Sequence, residues 1–385
     1  MKRVACLLLA LLMLAGCAGQ QDPGTSEQSS TGSTDDASTD SSTGDSTGSS
    51  TDSSTGDSTG DSTGTSEDSS ETPVVYRHPL NGQPLDAPWT GRATAVVINN
   101  IQAALPQYGI NQADIIYELE TEGGITRLLA IYSDLSKVGT IGPVRSARTF
   151  YNNIALSHDA VLIHCGGSEA SLKGQYSDNS DTISNWEHIN EQHNGSYFFR
   201  DRDRYNSGYA WEHTLFTKGE ELLRGLKAKK YEKTYEGGYN HGLTFTDKPE
   251  LSGERAETIT VIHRGKKTTT MTYNAEKGVY AASQYGKPWM DAGANEQLQF
   301  RNVVVLYTDQ WSIRDSAYSR SYFQLSGTGE GHFACDGQIV PIVWHRDELR
   351  GSFTYTLKDG TPLVMGEGST YVSVVAKSRQ PVSYQ

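Results

Sequence analysis

The chain has 385 residues, 33 of them Lys or Arg and 46 Asp or Glu, for a formal net charge of −13. Twelve of the acidic groups fall in residues 18–72, which hold no Lys or Arg; residues 73–385 carry 31 basic and 34 acidic groups. The part able to fold is therefore close to neutral, which excludes a nucleic-acid binder built on a basic face, and no run of 18 apolar residues predicts a membrane-spanning helix.

Lys2 and Arg3 precede an apolar run from Val4 to Leu14, and the sequence then reads Leu14-Ala15-Gly16-Cys17. A short basic region, a brief apolar core and small residues form a secretory signal. The cysteine after the small residues resembles a bacterial lipobox, which makes residues 1–17 a lipoprotein signal peptide. It also makes Cys17 the acceptor of a lipid that anchors the chain to the bilayer. Residues 18–72 are almost entirely Ser, Thr, Gly and Asp, with Asp-Ser-Thr-Gly recurring at Asp45–Gly48, Asp57–Gly60 and Asp61–Gly64. Such a segment has nothing apolar to bury against the entropy of ordering, so it is expected to be a disordered tether. As a flexible coil it spans on the order of 40 Å.

Residues 73–235 are expected to form a mixed α/β domain. Ala93–Ile98 reads as a buried strand, and Ala113–Glu120 and Ile125–Tyr132 as two strands joined at Glu122-Gly123-Gly124. After Gly142-Pro143, residues Ser146–Leu156 read as a helix capped by Ser146, and Val161–His164 as a further strand. Thr217-Lys218-Gly219-Glu220 is a capping-box pattern ahead of a helix over Glu221–Lys229 with Leu222, Leu223 and Leu226 on one face.

These stretches carry a resemblance. Ala95–Asn100, Ala113–Glu118, Glu122–Arg127, Ile141–Arg148 and His164–Ser168, in that order, are similar to the YerB-like family of bacterial lipoproteins. The resemblance implies a lipoprotein with two tandem domains and an association with the cell envelope and peptidoglycan synthesis. It implies no established activity and no catalytic residues.

In residues 236–385, Thr258–His263 and Thr268–Tyr273 alternate polar and apolar residues, and Val279–Ala282, Phe300–Thr308, Ser321–Leu325, Gly331–Cys335, Ile339–Trp344, Phe353–Leu357 and Tyr371–Ala376 are further strand candidates. With hairpin signals at Asp336-Gly337 and Asp359-Gly360, they predict a mainly antiparallel β domain. The fold class is thus α+β followed by a β-rich domain. Trp289, Trp311, Trp344 and Tyr371 suit either core packing or a ligand face.

Among candidate site residues, Arg145, Ser146 and Arg148 would place two guanidinium forks at a helix start, where free N–H groups favour a carboxylate or phosphate. Arg127 and the run Gly166-Gly167-Ser168 are grouped with them as ligand-binding residues. The competing reading pairs the arginines internally, with Glu118 or Glu122. His164 could act as a general base oriented by Glu122, or be a hydrogen-bonded strand-end histidine, and Ser168 reads as an N-cap. The aromatics between Tyr197 and Phe216 suit stacking on sugars or packing on the core. Asp201, Asp203 and Glu212 fall at calcium-loop positions, but Tyr205 and Asn206 break the pattern. His188, His193 and His213 lack zinc-ligand spacing. Cys165 and Cys335 are expected as two thiols or one disulfide. No cofactor and no metal is expected. The resulting expectation is a lipid-anchored extracytoplasmic protein that binds peptidoglycan or a wall-synthesis partner. The alternative is a hydrolase acting on a wall or phosphorylated substrate.

Overall fold

A computed structural model describes residues 75–168, 171–172, 187–231, 241–264, 267–315, 318–347, 351–379 and 382–385. The expected signal peptide, Cys17 and the expected tether lie outside the described residues. Strands dominate and helices are few.

Two sheets organise the structure. The larger has eleven strands: β1 (Thr94–Asn99), β2 (Ile115–Glu120), β3 (Thr126–Tyr132), β4 (Val161–His164), β5 (His188–Asn190), β6 (Glu254–Arg255), β12 (Asn302–Thr308), β13 (Gly327–Cys335), β14 (Gln338–Arg346), β15 (Thr354–Leu357) and β16 (Thr370–Ala376). Its order is β6-β14-β13-β12-β16-β2-β3-β1-β4-β5, with β15 on β14. The smaller sheet has six strands, β7 (Thr258–Ile262), β8 (Thr268–Asn274), β9 (Val279–Gln284), β10 (Lys287–Pro288), β11 (Gln299–Phe300) and β17 (Val382–Tyr384). The two halves of the sequence meet inside the large sheet, where β16 lies parallel to β2 with Thr370 opposite Ile115 and Val374 opposite Leu119. Glu71–Gln385 accordingly forms one compact unit.

The central strands β1, β2, β3, β4 and β16 are buried along their whole length. A strand covered on both faces reads as a continuous apolar run rather than an alternation, which is how Ala95–Ile98 and Val161–Ile163 look in the sequence. On one face, Val97, Tyr117 and Leu129 pack with Phe150, Tyr151 and Ile154 of the helix α1 (Thr149–Leu156). On the other, Ile98, Ile116 and Leu128 pack with Leu222 and Leu226 of the helix α2 (Gly219–Lys229) and with Ile259, Met271 and Ala282 of the small sheet. Trp289, Trp344 and Tyr371 are core residues, whereas Trp311 is exposed.

Both predicted helix starts shift. The helix α1 begins at Thr149 with Arg148 at its N-cap, not at Ser146. Residues 145–147 are held extended because Arg145 N–H donates to Val97 O, and Cys165 N–H to Arg145 O. The capping box at Thr217 does not form either. Lys218 is the N-cap of α2, and the Thr217 hydroxyl donates to Tyr197 O instead. At Thr217 a tertiary bond takes the hydroxyl that a local cap would have used, and at Ser146 strand-like backbone bonds on either side of it delay the helix.

Candidate functional site: an arginine cluster and a buried glutamate at the strand ends

Strands β1, β2, β4 and β16 run parallel to one another, and their carboxyl ends lie at one end of the sheet. That edge is where open sheets of parallel strands gather ligands. Because successive strand residues face opposite sides, the end of β2 sends Glu118 and Glu120 to one face, while Arg127, opposite Leu119, lies on the other.

On the first face Glu118 is fully buried. Its carboxylate accepts from Asn100 Nδ2 at 2.8 Å, Thr126 Oγ1 at 2.6 Å, Thr269 Oγ1 at 2.8 Å and Tyr371 OH at 2.6 Å, and from Lys267 Nζ. Burial opposes ionisation of Glu118, yet Lys267 and His263 outweigh it and hold the carboxyl well below the usual carboxylate range. Lys267 is itself lowered by burial, which Glu118 only partly offsets. Its ammonium stands 5.5 Å from the Trp289 ring and 5.7 Å from the Tyr285 ring. One turn of strand further, Glu120 takes a two-pronged ion pair from Arg379 at 2.8 Å. Each carboxylate of this face has its own cation, so the face is a structural clamp between β2, β16 and the small sheet.

The opposite face is different. Glu122 accepts from Arg148 Nε at 3.1 Å and from Arg320 Nη1 at 2.5 Å. The Arg148 hydrogen bond and charge, with Arg127, overcome its burial and lower it to about 2. Arg145 reaches Glu212 at 3.4 Å. Arg127 is 4% exposed and gives Nη1 to Ser146 O at 2.7 Å, and among the described residues no carboxylate pairs with it. Burial first, then the charges of Arg148 and Arg145, bring its guanidinium down to about 9. Arg127 Nε, Arg145 Nε and the hydroxyl of Tyr151 are buried here without a described partner. Burial raises that phenol far above its ordinary value. Arg127, Arg145, Arg148 and Arg320 thus stand around Glu122 and Glu212. Buried donors left unmet in a cationic setting fit an anion carrying several acceptor oxygens, a carboxylate or a phosphate.

The predicted residues divide accordingly. Arg127, Arg145, Arg148 and Glu122 come together; Arg148 meets Glu122 as the internal-pairing reading expected, while Arg127 and Arg145 keep unmet donors. Ser146 contributes its carbonyl rather than a cap. His164 does not join Glu122. Its Nδ1 is bonded to Gly166 O at 2.7 Å and its Nε2 to His188 Nδ1 at 2.9 Å. Burial lowers His164 to about 3, so it stays a neutral structural group, with His188 stacked on it. Gly166 and Gly167 bond or bridge to Ala147 and so brace the arginine segment. Ser168 Oγ accepts from Ser171 N–H, as a cap does. Asp201 likewise caps Arg204. The two thiols are free, with Cys165 Sγ donating to Glu191 at 3.2 Å. Sequence reasoning missed Tyr151 and Arg320. Neither stands in a motif, and Arg320 is 198 residues from the Glu122 it binds.

Two family models match the chain. The N-terminal domain of DUF3048, a protein of unknown function, matches residues 80–232, and its C-terminal domain matches residues 258–372. The protein named "Putative lipoprotein YerB" from Bacillus subtilis (strain 168) is 26% identical over 313 residues, covering 77% of this chain and 88% of that relative. The crystal structure of YerB from Bacillus subtilis superposes with a TM-score of 0.67 at 25% identity, over 80% of this chain and 99% of that one.

Proposed function

This chain belongs to the DUF3048 family of proteins of unknown function, and we propose that it is a lipid-anchored binding or accessory protein on the extracytoplasmic face of the membrane. In this reading, Cys17 carries the lipid and residues 18–72 hold the folded unit away from the bilayer. The arginine cluster then takes the carboxylate or phosphate of an envelope component: peptidoglycan, a precursor, or a partner in wall synthesis. The similarity to a protein named as a lipoprotein supports the anchor. The observation that carries the binding role is the buried, unmet Nε of Arg127 beside the unmet hydroxyl of Tyr151. The alternative of a hydrolase loses its base, since both ring nitrogens of His164 are already engaged. Co-sedimentation of the purified chain with isolated cell wall tests the role. Binding that inorganic phosphate weakens and that Arg127→Leu weakens is the expected result. Binding that neither changes would assign wall recognition elsewhere.

A further inference from the structure

A second site stands apart from the arginine cluster. The loop after β1 and the hairpin between β9 and Trp289 enclose a cavity of 360 Å³. It lies where the two halves of the chain meet, and its size is at the small end of ligand pockets, which run from about 300 to 1,000 Å³. Its wall includes Tyr285, Pro288 and Pro106, and its rim includes Gln102 and Lys287, both exposed.

Two features of this wall bear on a ligand. Gln284 is 2% exposed, yet neither its Nε2 nor its Oε1 has a hydrogen-bond partner. By contrast Gln107, in the same wall, is fully used: it donates to Asn100 Oδ1 at 2.8 Å and accepts from Trp289 Nε1 at 3.1 Å. A buried amide with both ends unmet is costly and normally has a partner. The second feature is the turn. Gln284 pairs with Lys287, so Tyr285 and Gly286 form a two-residue loop with φ of 52° and 71°. Such a turn favours Asn or Asp at the first position. A tyrosine there is strained, but it sets an aromatic ring in the cavity wall, fixed by a 2.7 Å bond from its hydroxyl to Asn100 O.

We propose that this cavity binds an N-acetylated hexosamine unit. The acetamido N–H would donate to Gln284 Oε1 and the neighbouring ring hydroxyl would accept from Gln284 Nε2, meeting both orphaned atoms at once. The sugar ring would lay its C–H face on Tyr285 and Pro288, with its other hydroxyls toward Gln102 and Lys287. An extended peptide also offers amides, but it would need to add to the edge strand β10, and Pro288 has no N–H there to give. A nucleobase has an amide edge but lacks the ring of hydroxyls that the polar rim serves.

The test is ligand-observed NMR on the full chain with N-acetylglucosamine, glucose, uridine and N-acetylalaninamide. N-acetylglucosamine should bind at least about tenfold more tightly than the other three, the loss expected when an acetamido pair is missing or misplaced. Gln284→Met, similar in size and without the unmet polar atoms, should keep or raise the melting temperature and abolish the preference. Tyr285→Asn, which suits the turn, should also weaken binding, and it serves if Gln284→Met does not fold. Arg127→Leu should leave binding unchanged, which separates this site from the arginine cluster. Equal binding of glucose, a preference retained in Gln284→Met, tighter binding of uridine or the peptide amide, or no binding of N-acetylglucosamine would each overturn the proposal.

Discussion

Replacing Lys267 with Met would leave Glu118 buried without its nearest cation. Methionine matches the length of the lysine stem and fills the same apolar space, so the change removes charge rather than volume. Breaking a buried pair by deleting one partner costs about 3–5 kcal/mol. Glu118 would keep four neutral donors, Asn100, Thr126, Thr269 and Tyr371, which places the cost near the lower end, about 3 kcal/mol. The sign of the pH dependence follows from Glu118. In the wild type its folded pKa is depressed, so its contribution is present above the unfolded carboxylate value and is lost as pH falls through the folded one. Without Lys267, burial is opposed only by His263 and the neutral donors, so the folded pKa of Glu118 rises. The variant then loses less stability than the wild type as pH falls. The gap between the two proteins should therefore close as pH drops from 7 toward 4. Urea unfolding at both pH values measures it. Adding Glu118→Gln should recover part of the loss, a coupling of about 0.5–3 kcal/mol. A cost under about 1 kcal/mol at pH 7, or a gap that widens in acid, would refute the role given to this pair.

Other consequences are equally open to measurement. Burial lowers His158 and His164 to about 3 and His188 and His241 to about 4. Their stabilising contribution is full above the unfolded value of about 6.5 and is lost as pH falls from there toward the folded values. The melting temperature should thus decline steadily below about pH 6.5; a flat profile down to pH 4.5 would contradict the buried, neutral assignment. Gly219→Ala should destabilise by about 1–3 kcal/mol in thermal melts, because a Cβ there would lie 2.2 Å from Leu135 O and 2.3 Å from Val138 O, both backbone atoms. Cys17→Ala should lose metabolic fatty-acid label and move to the soluble fraction; label retained in the variant would remove Cys17 as the anchor.

The strands were legible where burial on both faces writes itself into composition. Val161–His164 and the two strands flanking Glu122-Gly123-Gly124 are found where the apolar runs place them. Asp336-Gly337 makes the predicted hairpin, with φ of 50° and 73° and Cys335 opposite Gln338. Pairing over distance left no such trace. Nothing local says that β16 inserts beside β2 in parallel, so Glu118 could be read as part of a strand but not as the acceptor for Lys267 and Tyr371, 149 and 253 residues away. The arginine cluster was half legible. Arg145 and Arg148 stand in one string, but the helix that was to present them starts later, and Tyr151 draws its relevance from Arg127 on a neighbouring strand. Gln284 carries no motif at all. Its significance is the absence of a partner, which only a folded structure reveals.

The central claim is that the arginine cluster holds an anion, and calorimetric titration of the full chain with inorganic phosphate tests it most directly. One site per chain is expected. Arg127→Leu should abolish the heat of binding. Tyr151→Phe should weaken binding about tenfold while leaving the unliganded melting temperature unchanged or higher, because it removes a hydroxyl that otherwise has no partner. No phosphate binding by the wild type, or equal binding by all three proteins, would contradict the claim and leave the arginines as internal struts for Glu122 and Glu212.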